Sequence, residues 1–257
     1  MSGASGGRGV RMWQLALLVA FLAVWEGTTR LGWVDPFHIS MPSRIAVQIV
    51  KWAAGGMLFR HIAVTLLEMI LGFLAGAGLG VALGFLFAFQ PRLAAIFDPV
   101  MVLLNALPRV VLAPLFVLWF GLGLLSKVVM AVSLVFFVVF FATYTGVREV
   151  DRGVIDNARI LGASQRDLTR HVLLPSALVW IFSSLRTSVG FALIGAVVGE
   201  YLGAHEGMGW LIYFEESMFR STGVIAGLTV LMVLVALIDC GMKSLENRFS
   251  HWKPRPT

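Results

Sequence analysis

Six stretches of the chain run for about twenty residues or more with few charges, at about 12–29, 62–89, 99–120, 127–147, 176–199 and 223–241. A helix needs roughly 20 apolar residues to cross the hydrocarbon of a bilayer, because each residue advances it by only about 1.5 Å. Of the 257 residues, 58% are apolar and 13% charged. Ordinary soluble domains carry about 25% charged residues. One water-soluble core cannot hide that much apolar side chain, so lipid is the expected solvent. The expected fold class is all-α, with residues 1–257 forming a single polytopic domain of six membrane-crossing helices.

Several function classes drop out at once. The single cysteine, Cys240, leaves no internal disulfide, and the histidines at 38, 61, 171, 205 and 251 are too scattered for a zinc motif. No catalytic, cofactor-binding or metal constellation stands out by spacing. Arg8 and Arg11 before the first apolar run also describe an export signal, but Trp25-Glu26-Gly27 is a poor cleavage site. The first span is therefore expected to be retained.

Orientation follows from the basic residues of the short loops. With the N-terminus inside, the inner face holds Arg8, Arg11, Arg92, Arg148, Arg152, Arg159, Arg166, Arg170, Lys243, Arg248, Lys253 and Arg255. The outer face holds half as many: Arg30, Arg44, Lys51, Arg60, Lys127 and Arg220. Both termini are thus expected in the cytoplasm. This topology accounts for the net charge of +6, and no nucleic-acid partner is needed.

Inside the spans, Gly72, Gly76, Gly80 and Gly84 recur every fourth residue along one helix face. Such a stripe lets another helix approach backbone to backbone. The third span carries Pro99, Pro108 and Pro114, each of which removes a backbone donor. Asn105 and Arg109 flank Pro108. Polar groups and freed carbonyls at membrane depth face protein or a cavity. Two readings follow for Asn105, Pro108 and Arg109: a kinked packing helix, or the lining of a translocation path. Arg186 and Glu68 are further intramembrane charges that could pair with each other, and Glu200 could cap an outer mouth.

The loop at 148–175 has a different texture. Val154, Ile155, Ala158 and Leu161 share one helical face. Gly162 stands where that helix would end. Ser164-Gln165-Arg166-Asp167 then restarts a helix as a capping box, and Pro175 opens the next span. Two short amphipathic helices joined by a glycine make a compact knob.

This knob resembles the EAA loop of permease subunits of ATP-binding-cassette importers, the binding-protein-dependent class. That motif reads Glu-Ala-Ala, three residues, Gly, nine residues, Ile-x-Leu-Pro. Here Asp156-Asn157-Ala158 is followed at the same spacing by Gly162 and then by Val172-Leu173-Leu174-Pro175. Asp156 and Asn157 depart from the usual letters. The likeness extends from about 42 to 245 and is greatest for the nitrate, sulfonate and taurine branch. It includes Thr65-Leu66, Leu107-Pro108, Ala113-Pro114-Leu115, Leu118-Trp119-Phe120-Gly121, Leu161-Gly162-Ala163-Ser164, Leu185-Arg186, Glu200-Tyr201-Leu202-Gly203 and Gly207-Met208-Gly209. Glu68 stands where that branch often has a basic residue.

The resemblance implies a type I importer permease fold in the cell inner membrane, with a second permease copy completing a homodimeric path. It implies two ABC ATPase subunits gripping the knobs through Asp156, Asn157, Ala158, Leu161, Gly162, Ala163, Ser164, Leu174 and Pro175. An extracytoplasmic substrate-binding protein would deliver cargo, a small anion such as sulfonate, taurine or nitrate, or else a vitamin-precursor heterocycle. An independent observation agrees with that division of labour. A phosphate-gripping loop needs Gly-Lys-Ser/Thr, and the four lysines follow Val50, Ser126, Met242 and Trp252. ATP is therefore expected to be used by a partner and no cofactor by this chain, which is not expected to be an enzyme. The rival, a self-sufficient secondary transporter, would need coupling carboxylates, for which only Glu68 and Asp239 are available.

Overall fold

The computed structural model describes residues 4–249, and all regular structure among them is helical. Lys253 and Arg255, expected inside, lie outside the described residues. In chain order the helices are α1 (Ala4–Arg30), α2 (Pro36–Ile39), α3 (Pro42–Ala54), α4 (Met57–Phe89), α5 (Pro91–Ala106), α6 (Ala113–Phe120), α7 (Leu124–Arg148), α8 (Arg152–Ile160), α9 (Gln165–Leu168), α10 (Leu174–Gly203), α11 (Met208–Ser217) and α12 (Ser221–Phe249). Among the described residues, five helical runs are long and apolar enough to cross a membrane: Met12–Arg30, Met57–Phe89, Leu124–Arg148, Gln165–Gly203 and Ser221–Ser244. A bent pair, Pro91–Ala106 with Arg109–Phe120, makes a sixth if it is one broken span. By contacts the chain divides into two compact units, residues 4–60 with 211–237, and residues 61–210 with 238–249.

In the larger unit α7 is the central helix, with Met130, Ala131, Val135 and Val139 entirely buried. The glycine stripe explains how α4 reaches it. A Cβ on Gly72 would lie 2.3 Å from that of Ala131, and one on Gly76 would lie 2.8 Å from that of Val135. Gly80 and Gly84 meet Val139 and Thr143 in the same way. Lipid tails are as apolar as the helices, so burial alone does not drive association, and backbone proximity supplies packing instead. On another side of α7, Gly195 and Gly199 of α10 lie against Ala131 and Lys127. Ala131 is therefore pressed between glycines of two different helices.

The three prolines of the third apolar run behave differently from one another. Pro99 lies inside α5 and Pro114 within the first turn of α6, where its missing N–H would be unpaired anyway. Only Pro108 breaks the chain's path. It disfavours α geometry in the residue before it, and Leu107 takes ψ 133°. A single 3-10 turn, Arg109–Leu112, then leads into α6, and the two halves are bent by 85°. The stretch 99–120, expected as one kinked helix, is two.

The smaller unit is tied by polar contacts at one end of α1. Glu26 accepts the Ser43 N–H at 3.0 Å and the Ser43 hydroxyl at 2.7 Å, fastening the start of α3 to α1. Ser40, buried with φ 52°, shares a 2.6 Å hydrogen bond with Thr222 at the start of α12. Gly223 is needed beside Glu215, since a Cβ there would sit 2.2 Å from the carboxylate.

Candidate functional site

The knob begins with Asp151, whose carboxylate caps α8 by accepting the Gly153 N–H at 2.7 Å. It ends in paired bonds, Gly162 N–H to the Arg159 carbonyl at 2.9 Å and Ala163 N–H to the Ala158 carbonyl at 3.0 Å. That is the Schellman closure, which needs a left-handed residue. Gly162 supplies it with φ +88°, and nothing lies within 4 Å of where its Cβ would be. Ser164 and Asp167 then form the reciprocal capping box of α9. A π turn, Thr169–Leu173, carries the chain into α10. Pro175 has no N–H to return to the preceding turn, and the widened turn absorbs that loss.

The apolar residues of the knob divide by environment. Ile155, Ala158 and Ala163 are half-buried and Leu168 is buried, so they hold the knob together. Ile160 at 83% and Leu161 at 88% exposure stand at the tip, with Val154 also exposed. Asp156 and Asn157 are exposed beside them, and Leu174 is half-buried next to exposed Pro175. The outward apolar face is therefore centred on Ile160 and Leu161. Ile160 carries no weight in a helical-face count, because the helix ends beside it and the turn exposes it.

At the break between α5 and α6, Arg109 is half-buried and braces the bend. Its Nη2 donates to the Asn105 carbonyl at 2.8 Å and also to the Asn105 side-chain oxygen. Its guanidinium lies 4.5 Å from the centre of the Phe137 ring on α7. Lysine keeps the charge but not the fork or the flat stacking surface. Arg109→Lys is thus expected to lower the unfolding free energy by about 1–3 kcal/mol. Thermal unfolding of the purified protein checks this, and unchanged stability would show that the brace is dispensable.

Arg186 does not meet Glu68. It donates to Asp239 at 3.4 Å, and the other Asp239 oxygen takes Lys243 at 2.5 Å, linking α10 to α12 within the larger unit. Glu68 instead lies beside Glu200, with Lys127 close to both. All three are buried: Glu68 is 4% exposed, Lys127 1% and Glu200 0%. Lys127, expected in an outer loop, is folded into the first turn of α7, where its ammonium bonds the Leu122 and Gly123 carbonyls. One oxygen each of Glu68 and Glu200 has no hydrogen-bond partner among the described residues. The nearby ammonium adds charge compensation to the Gly209 N–H that Glu200 accepts.

The same cluster holds down the turn after α10. Glu200 accepts the Gly209 N–H at 2.7 Å. Thr65 accepts that of Met208 at 2.8 Å, and His61 Nδ1 that of Gly207 at 3.0 Å. Gly207 has φ +105°, and a Cβ on it would overlap the Glu200 carboxylate at 2.2 Å. Side chains of α4 and α10 thereby satisfy three successive backbone donors of one buried turn. Sequence reasoning singled out Glu200 and, within the resemblance, Thr65 and the Gly-Met-Gly run, but missed His61 and put Lys127 in an outer loop. The available signal was a polar group on each of two otherwise apolar helices.

Comparison with known proteins agrees with this architecture. A family model described as binding-protein-dependent transport system inner membrane component matches residues 76–251. The putative aliphatic sulfonates transport permease protein SsuC of Bacillus subtilis is 32% identical, over 94% of this chain and 88% of that protein. The formylaminopyrimidine transport permease protein ThiX of Halalkalibacterium halodurans is also 32% identical, over 91% and 93%. The taurine transport system permease protein TauC of Escherichia coli is 27% identical, over 93% and 88%. A chain of the MetNI methionine ABC transporter, solved in inward-facing conformations, shares the fold with a TM-score of 0.59 at 21% identity, covering 77% of this chain and 96% of that one. A helical chain with five or six runs able to cross a membrane, matched over this length, belongs to the inner membrane components of binding-protein-dependent transport systems, the permeases of ATP-binding-cassette importers.

Proposed function

We propose that two copies of this chain line the membrane path of an importer, and that each knob docks on one of two separate ATPase subunits. An extracytoplasmic binding protein delivers the substrate to the outer face, both termini are cytoplasmic, and ATP is hydrolysed in the partner rather than here. The observation that carries this reading is the knob: a capped, glycine-closed pair of short helices presenting Ile160 and Leu161 bare, joined to a run that continues to Gly203. An apolar tip on a charged loop needs a protein to cover it.

The cargo we infer is a small organic or inorganic anion, sulfonate or taurine first, from the similarity to SsuC and TauC. The equal identity to ThiX favours a second reading, a vitamin-precursor heterocycle. We put Asn105, Pro108 and Arg109 along the path, a reading supported by the exposure of Asn105 and Pro108 at the break. Arg186 and Glu200 are already engaged within the chain and act on the path by holding its walls.

Substitutions at the tip test the docking. Leu161→Asp puts a charge where the partner's apolar groove would close, and is expected to weaken ATPase co-purification at least about tenfold. Gly162→Val meets no steric obstacle, so its cost is the positive φ, about 1 kcal/mol or more. It should leave the protein inserted but uncouple hydrolysis from transport in reconstituted vesicles. Normal ATPase binding and transport in both variants would reduce the loop to a connector.

A further inference from the structure

The smaller unit contains an open bowl of about 750 Å³ that none of the preceding roles uses. One side is a face of α3, where Arg44, Val47, Gln48 and Lys51 fall at helical spacing. The neighbouring face of α3 is anchored by buried Ile45 and Trp52, which fixes which side chains look into the bowl. The other side is the turn between α11 and α12, with Phe219 and Arg220.

The charge of the bowl is positive. Among the described residues, the side chains of Arg44 and Lys51 have no hydrogen bond or ion pair within the chain, and both are exposed. Arg220 reaches Glu215 only at 4.0 Å and keeps most of its side chain in the open. Two acids are present. Asp35 is occupied in capping α2 through the Phe37 N–H at 2.8 Å, and Glu215 is buried.

The depth of the bowl is set by its flanks. The span in α1 ends at Arg30 and the span in α12 begins at Ser221, whereas the bowl is lined by residues between 35 and 51 and between 215 and 223. It therefore lies at the level where two spans leave the hydrocarbon, among the lipid headgroups. Exposed aromatic rings occur at that level: Phe37 at 57% and Phe219 at 79% on the bowl itself, and Trp33 at 77% just beyond α1. Rings at this depth anchor a protein in the interface. Phe219 is held outward at φ 55°, a conformation uncommon for a bulky residue and retained where the surroundings demand it.

We propose that this bowl binds the headgroup phosphate of an anionic phospholipid, with Arg44, Lys51 and Arg220 around the phosphate and Phe37 and Phe219 against the glycerol and upper acyl carbons. A soluble anion would satisfy the cations but leave both rings facing water. A phospholipid satisfies both. The leaflet is the outer one if the termini are cytoplasmic, but the test does not depend on the side.

The full-length protein, reconstituted in phosphatidylcholine vesicles containing one-fifth phosphatidylglycerol, is released into mild detergent, and retained lipid is read by native mass spectrometry. The parent is expected to keep phosphatidylglycerol, and R44Q/K51Q to lose it on the order of tenfold, in line with the attraction of juxtamembrane cations to anionic lipid. R44K/K51R, with the charges intact, is expected to keep it. High salt should release it from the unmodified parent, which separates loss of charge from misfolding of a variant. Equal retention by R44Q/K51Q, loss from R44K/K51R or retention in high salt would overturn the proposal. So would displacement of the lipid by millimolar inorganic phosphate or methanesulfonate, since the bowl would then be a soluble-anion site.

Discussion

Lys127→Met is expected to remove most of the folded protein from the membrane. The side chain is 1% exposed and its ammonium faces two buried carboxyl groups, those of Glu68 and Glu200. Deleting one partner of a buried charge cluster costs about 3–5 kcal/mol, because the remaining charges keep their desolvation penalty without compensation. A natural domain has only about 5–15 kcal/mol in hand. The change should be repairable from the other side of the cluster. Lys127→Met combined with Glu200→Gln removes the carboxylate that the ammonium faces while keeping an oxygen for the Gly209 N–H, and is expected to regain stability relative to the single variant. Membrane abundance and thermal unfolding of the purified protein are the measurements. If the single variant matches the parent, the ammonium compensates nothing and the cluster is not the fastening described above.

Gly72→Ala and Gly195→Ala should both destabilise, by about 1–3 kcal/mol as overpacking does, and more for larger side chains. They differ in what would relieve them. The methyl added at 72 meets the Ala131 Cβ at 2.3 Å and little else, the next contacts being at 3.3 and 3.4 Å. The methyl added at 195 meets the Ala131 Cα at 2.5 Å and its backbone nitrogen at 2.8 Å. A second change, Ala131→Gly, therefore removes the obstacle in the first case and leaves it in the second. Recovery of Gly72→Ala but not of Gly195→Ala by Ala131→Gly is the expected pattern. Recovery of both, or of neither, would place α7 differently between its neighbours.

How much of this was legible depended on whether the cause was local. The glycine stripe was readable because a missing side chain at every fourth position has one physical use in lipid. Gly162 and Ser164 were readable because caps and left-handed turns are settled by neighbours a few positions away, and the structure places them accordingly. The break was harder. Three prolines looked equivalent in sequence, yet only Pro108 lies where the residue before it is free to leave the helix. The charge pairing was not readable at all. Glu68, Lys127 and Glu200 come from three helices, and nothing near any of them indicates which partner it will face. Arg186 was expected to pair, if at all, with Glu68, and the placement of α10 and α12 gives it Asp239 instead.

The π turn has a mechanical meaning. Because Thr169–Leu173 widens instead of breaking, the helical run from Gln165 to Gly203 is unbroken for 39 residues, a rod of about 58 Å at 1.5 Å per residue. Tilting such a rod by about 5° at its knob end moves its far end by about 5 Å, nearly one helical turn. Near that far end Glu200 holds the Gly207–Gly209 turn through a single 2.7 Å bond to Gly209. A rocking of that size at the knob would reach the far end as a displacement longer than the 2.7 Å bond that Glu200 makes there.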